Sequence, residues 1–166
     1  MRRVAAFIDS FNEWVGHAVS WCTLAMVLVT FAIVLLRYVF GIGSIAMQES
    51  VAYFHAAVFM LGAAYALKAD AHVRVDVFYH RWDARRRALV NIAGTLLFLF
   101  PVAALLLLTS LEYVGDAWRV HEASREPGGL PWVYLLKTVI PLAAALIALQ
   151  GVAQLLHGVI ALRGDD

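Results

Sequence analysis

Charged residues are scarce in this sequence, and they leave long gaps between them. Only 15% of the 166 residues are charged, whereas 63% are hydrophobic and the mean hydropathy is +0.77. An ordinary soluble domain has roughly 45–50% apolar residues. The composition therefore excludes a typical water-soluble globular protein and predicts a membrane protein.

The motifs of enzyme chemistry are missing as well. Cys22 is the single cysteine, so an intrachain disulfide is excluded and a small buried residue is its expected role. Glycine-rich phosphate loops, cysteine pairs and the nucleophile-elbow pattern do not occur in the sequence. The histidines fall in predicted connections or are scattered over three apolar segments, without the paired spacing of metal or haem ligands: His72, His80, His121, His17, His55 and His157. We therefore expect no enzyme and no metal or cofactor in this chain.

Four gaps between charges are long enough for the ~20 residues of a membrane-spanning helix. They cover residues 14–36, 50–67, 88–111 and 138–162. Barrel strands would instead show ~10 residues of alternating polarity. The sequence predicts an all-α protein with a single membrane domain, residues 1–166, and spans at about 15–39, 45–67, 84–112 and 132–162.

Basic residues predict the orientation of these spans. Four spans place both termini on one side, and nine of the thirteen Lys and Arg residues fall on that side: Arg2, Arg3, Lys68, Arg74, Arg81, Arg85, Arg86, Arg87 and Arg163. The other four are Arg37, Arg119, Arg125 and Lys137. Basic residues near span ends stay in the cytoplasm, so both termini are expected there.

The N-terminal residues form an amphipathic pattern. Apolar side chains recur at spacings of three and four: Val4, Phe7, Ile8, Phe11 and Trp14. Arg2, Arg3 and Asp9 can then face water. We expect an interfacial helix before the first span.

The first outer connection, RYVFGIGSIAMQES at residues 37–50, carries a charge near each end. Gly41 and Gly43 permit a tight turn, and Ser44 can cap the second helix. Arg37 and Glu49 can pair across this turn. Alternatively, Arg37 reaches the headgroups and Glu49 sits at a helix N-terminus, or both contact another subunit.

The connection AHVRVDVFYHR, residues 71–81, alternates apolar and charged residues but has no second strand to pair with. One interpretation is an extended segment on the cytoplasmic face, with Asp76 capping a helical turn at 77–82 and Asp83 capping the third span. A solvated loop anchored by aromatic residues is the simpler interpretation. The following cluster Arg85, Arg86 and Arg87 adjoins a span, so lipid headgroups explain it better than nucleic acid does.

Three segments together resemble the small membrane subunit of tripartite ATP-independent periplasmic (TRAP) transporters, the DctQ-like family. They are RYVFGIGSIAMQES, GAAYALKADAHVRVDVFYHR and SREPGGLPWVYLLKTVIP, and the likeness covers nearly all of the chain. The HVRVD block is the most specific part. Many relatives have tryptophan shortly before the glutamate, whereas Met47 and Gln48 precede Glu49 here.

The resemblance implies a scaffold or stator in the bacterial inner membrane. Its partners would be a large DctM-like permease that moves an organic acid by a sodium-driven elevator motion, a periplasmic substrate-binding protein, and membrane phospholipids. Sodium would bind in the large subunit. The resemblance also suggests a keto or hydroxy monocarboxylate as substrate.

Two sets of residues are candidates for contacts under this interpretation. The first would contact the large subunit or anionic lipid: Arg37, Glu49, His72, Arg74 and Asp76. The second would touch the binding protein, although a solvated loop explains it equally well: Arg119, Glu122, Arg125 and Glu126. A membrane anchor of a redox enzyme and an isolated structural or regulatory membrane protein are the alternative functions.

Overall fold

The computed structural model describes residues 1–71 and 82–163, and the regular elements in that part of the chain are helices. Four are long and apolar enough to cross a membrane: α1 (Arg2–Val39), α2 (Ile45–Lys68), α3 (Ala84–Arg119) and α4 (Val133–Arg163). The prediction of an all-α protein with four spans is thereby confirmed. The predicted interface residues His72, Arg74 and Asp76, and the turn that Asp76 was expected to cap, lie outside the described residues.

The connection between α1 and α2 is the tight turn that its sequence predicts. Gly41 adopts a φ of 68°, and the N–H of Ile42 donates to the carbonyl of Leu36 at 3.0 Å. Ser44 has an extended backbone and its hydroxyl accepts the N–H of Met47 at 3.4 Å. The glycine turn and the serine cap are therefore both confirmed.

The N-terminal residues differ from the prediction. They are the first turns of α1, which runs from Arg2 to Val39 without a break, rather than a separate interfacial helix. Phe7 and Trp14 are exposed, as an apolar outer face requires. Asp9, expected to face water, instead points at α4 with only 18% of its side chain exposed. The expectation for Asp9 was wrong because α4 supplies polar partners for its carboxylate.

The start of α3 also differs from the prediction. Asp83 occupies the N-cap position, and its carbonyl accepts the N–H of Arg87 at 3.1 Å. Its side chain makes no capping hydrogen bond to any described residue, and its carboxylate lies 3.6 Å from Nε of Arg86. The predicted side-chain cap is therefore wrong, because the carboxylate turns toward a guanidinium one helical turn ahead.

The two middle helices each contain a π-helical turn, at Ala57–Leu61 in α2 and at Thr95–Leu99 in α3. A turn of this kind closes i to i+5 hydrogen bonds, so it holds more residues than an α-helical turn. At ~3.6 residues per α-helical turn, an additional residue rotates every later side chain by ~100° around the helix axis. The face that points inward therefore changes partway along α2 and α3.

Small residues occupy the interior of the bundle. The buried apolar residues are Ala5, Ile8, Ala64, Ala88, Ala103, Val114, Ala117, Ala143, Ala144 and Ala153. A Cβ atom on Gly16 would lie 2.5 Å from Cγ of Tyr65, so α1 and α2 approach closely only because Gly16 has no side chain. Cys22, expected to be buried, is only half-buried. Close packing of small residues is the way in which helices associate in lipid, where large apolar side chains are stable on the outside.

The helices pack as a cluster of three with a fourth on one side. α1, α2 and α4 contact one another, and α3 packs chiefly against α4. We call the end that carries residues 1–13, 68–71, 82–88 and 150–163 the terminal end. The opposite end, with residues 37–49 and 112–137, is the loop end.

Candidate functional site: polar clusters at the two ends of the bundle

The loop end is held together by Glu49, which lies in the first turns of α2. One oxygen of its carboxylate accepts the backbone N–H of Leu130 at 2.6 Å, and the other accepts the hydroxyl of Ser124. Ser124 and Leu130 belong to the connection between α3 and α4, more than seventy residues further along the chain. Glu49 therefore ties this long connection to the start of α2.

Local backbone geometry shapes the connection around that carboxylate. The N–H of Ser124 donates to the carbonyl of Leu130 at 2.9 Å, and the N–H of Gly129 donates to the carbonyl of Glu126 at 3.0 Å. A Cβ atom on Gly129 would lie 2.8 Å from Oε1 of Glu49. A glycine is thus required where the backbone passes the glutamate.

A second set of contacts joins α3 and α4 at the same end. Lys137 forms an ion pair with Glu122, and its Nζ also lies 4.0 Å from the centre of the Tyr113 ring. The indole N–H of Trp118 donates to the hydroxyl of Thr138 at 2.8 Å. These contacts fix where the connection leaves α3 and enters α4.

The predicted residues at the loop end have different surroundings. Arg37 is exposed and makes no ion pair with Glu49, so the predicted pairing across the turn is wrong: the carboxylate is held by the later connection instead. Glu122 is engaged by Lys137, whereas Arg119 is exposed and paired with Asp116 at 2.8 Å. Arg125 and Glu126 are also exposed. The part that these residues play in binding a partner stays a prediction.

The terminal-end cluster consists of Asp9, Asn12, Gln150 and His157, and it joins the first helix to the last. The side-chain amide of Asn12 donates to Oε1 of Gln150 at 2.7 Å, and the amide of Gln150 donates to Oδ1 of Asp9 at 2.9 Å. Nε2 of His157 lies 2.7 Å from Oδ2 of Asp9. Asn12 and Gln150 are each only 1% exposed. The cluster is therefore a hydrogen-bonded link between α1 and α4 that is buried at Asn12 and Gln150 and exposed at His157.

Two further contacts extend this link to the other helices. Nζ of Lys68 in α2 lies 2.7 Å from Oε2 of Glu13 in α1. Gln154 accepts the hydroxyl of Thr95 in α3 and donates to the carbonyl of Leu67 in α2, both at 3.4 Å. All four helices are thus joined by polar contacts near the terminal end.

Sequence reasoning missed the terminal-end cluster, although a signal is present. Gln150, Gln154 and His157 are spaced by four and three residues, which places them on one face of a helix. Asn12 and Glu13 follow Asp9 by three and four residues, so these three side chains also lie on one face of a helix near the N-terminus. Two polar faces on otherwise apolar helices predict that the faces meet.

The chemistry of these clusters is that of structural links. Among residues 1–71 and 82–163, no three His, Cys, Asp or Glu side chains are grouped closely enough to hold a metal ion. Most polar groups in the two clusters are instead donors and acceptors to one another. Such an arrangement fixes helices against each other.

Comparison with known proteins identifies the family. Residues 26–160 match the family described as tripartite ATP-independent periplasmic transporters, DctQ component. The chain is also 34% identical over 114 residues to the C4-dicarboxylate TRAP transporter small permease protein DctQ of Vibrio cholerae serotype O1 (strain ATCC 39315 / El Tor Inaba N16961). That similarity covers 67% of this chain but only 46% of the relative. No solved structure matches the chain.

Because the match takes in most of the described helices, it defines the class of protein as a family of transporter membrane components. The chain belongs to the DctQ component family of TRAP transporters.

Proposed function

We propose that this chain is the small permease subunit of a TRAP transporter and serves there as a stator. It would hold a large DctM-like subunit, whose transport domain moves substrate by an elevator motion coupled to sodium. The observation that carries the proposal is the distribution of polar groups. They link the helices to one another at both ends, while the central gaps of the four spans contain no charged residue.

A bundle of this kind is suited to a static role. A buried hydrogen bond between α1 and α4, and part-buried ones between α2 and the α3–α4 connection, oppose sliding of one helix past another. Sodium and an anionic substrate both require polar or charged ligands at membrane depth. We infer that those ligands belong to the large subunit and that this chain carries out no catalysis and binds no cofactor.

The orientation proposed for the subunit follows from its basic residues. With the terminal end in the cytoplasm, the loop end faces the periplasm, on the side where a substrate-binding protein would dock. Arg119, Arg125 and Glu126 are exposed there and are our candidate contacts. The connection that carries two of them is held in one shape by Glu49, which favours a preformed docking surface.

The proposed substrate class is an organic acid. The Vibrio cholerae relative is named for a C4-dicarboxylate, and a carboxylate substrate is our proposal here too. The alternative of a membrane anchor for a redox enzyme receives no support from the comparisons. An isolated structural or regulatory protein is the alternative that the next experiment separates.

The test is affinity purification of the tagged chain from its native membrane in a mild detergent, followed by mass spectrometry. We expect a large multi-span permease to copurify in fixed proportion. Recovery of the chain alone, or together with flavin or haem proteins, would overturn the proposal.

The stator role has its own test within this chain. A variant with Cys22→Ala, Asp9→Cys and His157→Cys would allow α1 and α4 to be joined by a short cleavable thiol reagent. Because a stator keeps its shape during transport, uptake by the same variant should be equal before and after joining. Uptake that stops on joining and returns on cleavage would show that the small subunit moves.

A further inference from the structure

Two cavities adjoin between α2, α3 and α4 and share Leu67, Asn91 and Gln154 as a common wall. Each has a volume of about 530 Å³. This is within the range of roughly 300–1,000 Å³ that is usual for ligand sites. The pair exists because α3 packs chiefly on α4 and leaves a cleft on its α2 side.

The first cavity is an apolar slot at membrane depth. Its α3 wall includes Phe98, Val102 and Leu106, which remain 71%, 55% and 42% exposed. Ala63 of α2 and Ile147 of α4 line it as well. A slot with this lining fits a hydrocarbon chain.

The second cavity lies at the terminal end and has a different lining. Lys68 and Arg87 line it from two helices, together with Trp82, Asp70 and His157. Lys68 contacts Glu13, and Nε of Arg87 donates to the carbonyl of Trp82 at 3.0 Å. Arg85 and Arg86 directly precede Arg87 in the chain, and both are exposed. The mouth of the cleft thus carries two basic groups, Lys68 and Arg87, and one acidic group, Asp70. It is flanked by a tryptophan, the residue typical of the membrane interface.

We propose that the cleft binds one anionic phospholipid, with an acyl chain in the apolar slot and the phosphate at Lys68 and Arg87. The argument is one of matching chemistry: an apolar slot leads into a mouth with two basic groups and a further pair of exposed arginines beside it, as an acyl chain leads to a negatively charged headgroup. Basic residues beside a span attract anionic lipids. The bound lipid fills the space between α2 and α3 and completes the packing of α3.

Two glycines of α3 allow a matched test of the slot. Gly94 lines the apolar cavity, and a Cβ atom there meets nothing within 4 Å, so Gly94→Leu places its side chain in the slot without a backbone clash. Gly115 also has open space around its Cβ but does not line either cavity, and Gly115→Leu is the control. Native mass spectrometry of the purified chain with added phosphatidylglycerol reads out the retained lipid.

We expect the unaltered chain and the Gly115→Leu control to retain one phosphatidylglycerol, and Gly94→Leu to lose it. Circular dichroism checks that both variants keep their helix content. Equal lipid retention by the two leucine variants would overturn the cleft as the site. Displacement of the lipid by soluble glycerol phosphate would overturn the assignment of a lipid in favour of a free phosphate ligand.

The headgroup is tested with a second matched pair. Arg87→Gln removes a basic group from the mouth, while Arg86→Gln removes an exposed one that pairs with Asp83 and lines neither cavity. Arg87→Gln should reduce the preference for phosphatidylglycerol over phosphatidylcholine roughly five-fold, and Arg86→Gln should leave it unchanged. A wild-type chain that retains both lipids equally would overturn the anionic assignment.

A cross-linking experiment on the assembled complex tests whether a lipid or a helix of the large permease occupies the cleft. With Cys22→Ala as background, Gly94→Cys carrying a short thiol-linked photoreactive cross-linker should remain uncoupled to the large permease when native membranes are illuminated. Cross-linking to the large permease would overturn the lipid proposal while supporting the proposed transporter. Failure of the lipid test leaves the copurification result unchanged, so the two proposals are tested separately.

Discussion

Replacement of Gln150 by leucine is the sharpest test of the terminal-end cluster. Leucine is similar in volume to glutamine, so the change removes polar contacts without opening a large cavity. The variant loses the hydrogen bond that Gln150 accepts from Asn12 at 2.7 Å and the one that it donates to Asp9 at 2.9 Å. Asp9 keeps His157 as a partner, but the amide of Asn12 is left buried and unpaired.

The expected loss of stability follows from these contacts. Side-chain hydrogen bonds in membrane bundles contribute on average ~0.6 kcal/mol each, and those in soluble proteins contribute about 1 kcal/mol. A buried donor left without a partner adds at least ~1 kcal/mol. Together these values predict that Gln150→Leu lowers the free energy of unfolding by about 2–3 kcal/mol.

The assay is unfolding of the full chain in bicelles by titration with sodium dodecyl sulfate, followed by circular dichroism. Gln154→Leu, one helical turn later, is the control because both of its contacts are long, at 3.4 Å. We expect it to cost less than about 1 kcal/mol. Equal losses for the two variants would refute the reasoning.

A double-mutant cycle isolates the link itself. Asn12→Leu also removes a buried acceptor, Oδ1 of Asn12, that has no partner among the described residues. The double variant should therefore lose less stability than the sum of the two single ones, with a coupling of ~1–2 kcal/mol. Effects that add within about 0.5 kcal/mol would show that the hydrogen bond is not what joins α1 to α4.

Two further predictions concern close contacts. Gly16→Ala should destabilise the bundle by about 1–3 kcal/mol, since the new methyl group overlaps the ring of Tyr65. Gly115→Ala, at a helical position with open space around it, should stabilise the bundle by roughly 0.5–1 kcal/mol. Equal changes in the free energy of unfolding for the two alanine variants, in the same detergent titration, would contradict this account. Glu49→Gln should speed hydrogen exchange at the amide of Leu130, because a neutral acceptor replaces the carboxylate; unchanged protection measured by mass spectrometry would show that another contact holds the connection.

The helices could be predicted because their cause is local. Long uncharged stretches must be helical in lipid, where backbone groups have no water to bind. The turn at Gly41 and the cap at Ser44 are also local, and both were recognised from neighbouring residues. Such features depend on a few consecutive residues, so one sequence is enough to predict them.

The partners of Asp9 and Glu49 could not be predicted in the same way. Asp9 meets Gln150, 141 residues away, and Glu49 meets Leu130, 81 residues away. Helical periodicity gives the face on which a residue lies but not which other helix covers that face. The π-helical turns in α2 and α3 add to the difficulty, because they rotate the later residues away from a regular period.

The link between Asn12 and Gln150 has a consequence for biogenesis. The two residues are 138 positions apart, and at roughly 5–20 residues per second the ribosome takes on the order of ten seconds to make the intervening chain. During that interval α1 stands in the membrane with its polar side chains unpaired by α4. A nascent subunit therefore differs from a finished one in exposing the polar face of α1 that carries Asp9 and Asn12. Only completion of α4 covers this face, which membrane quality control could recognise.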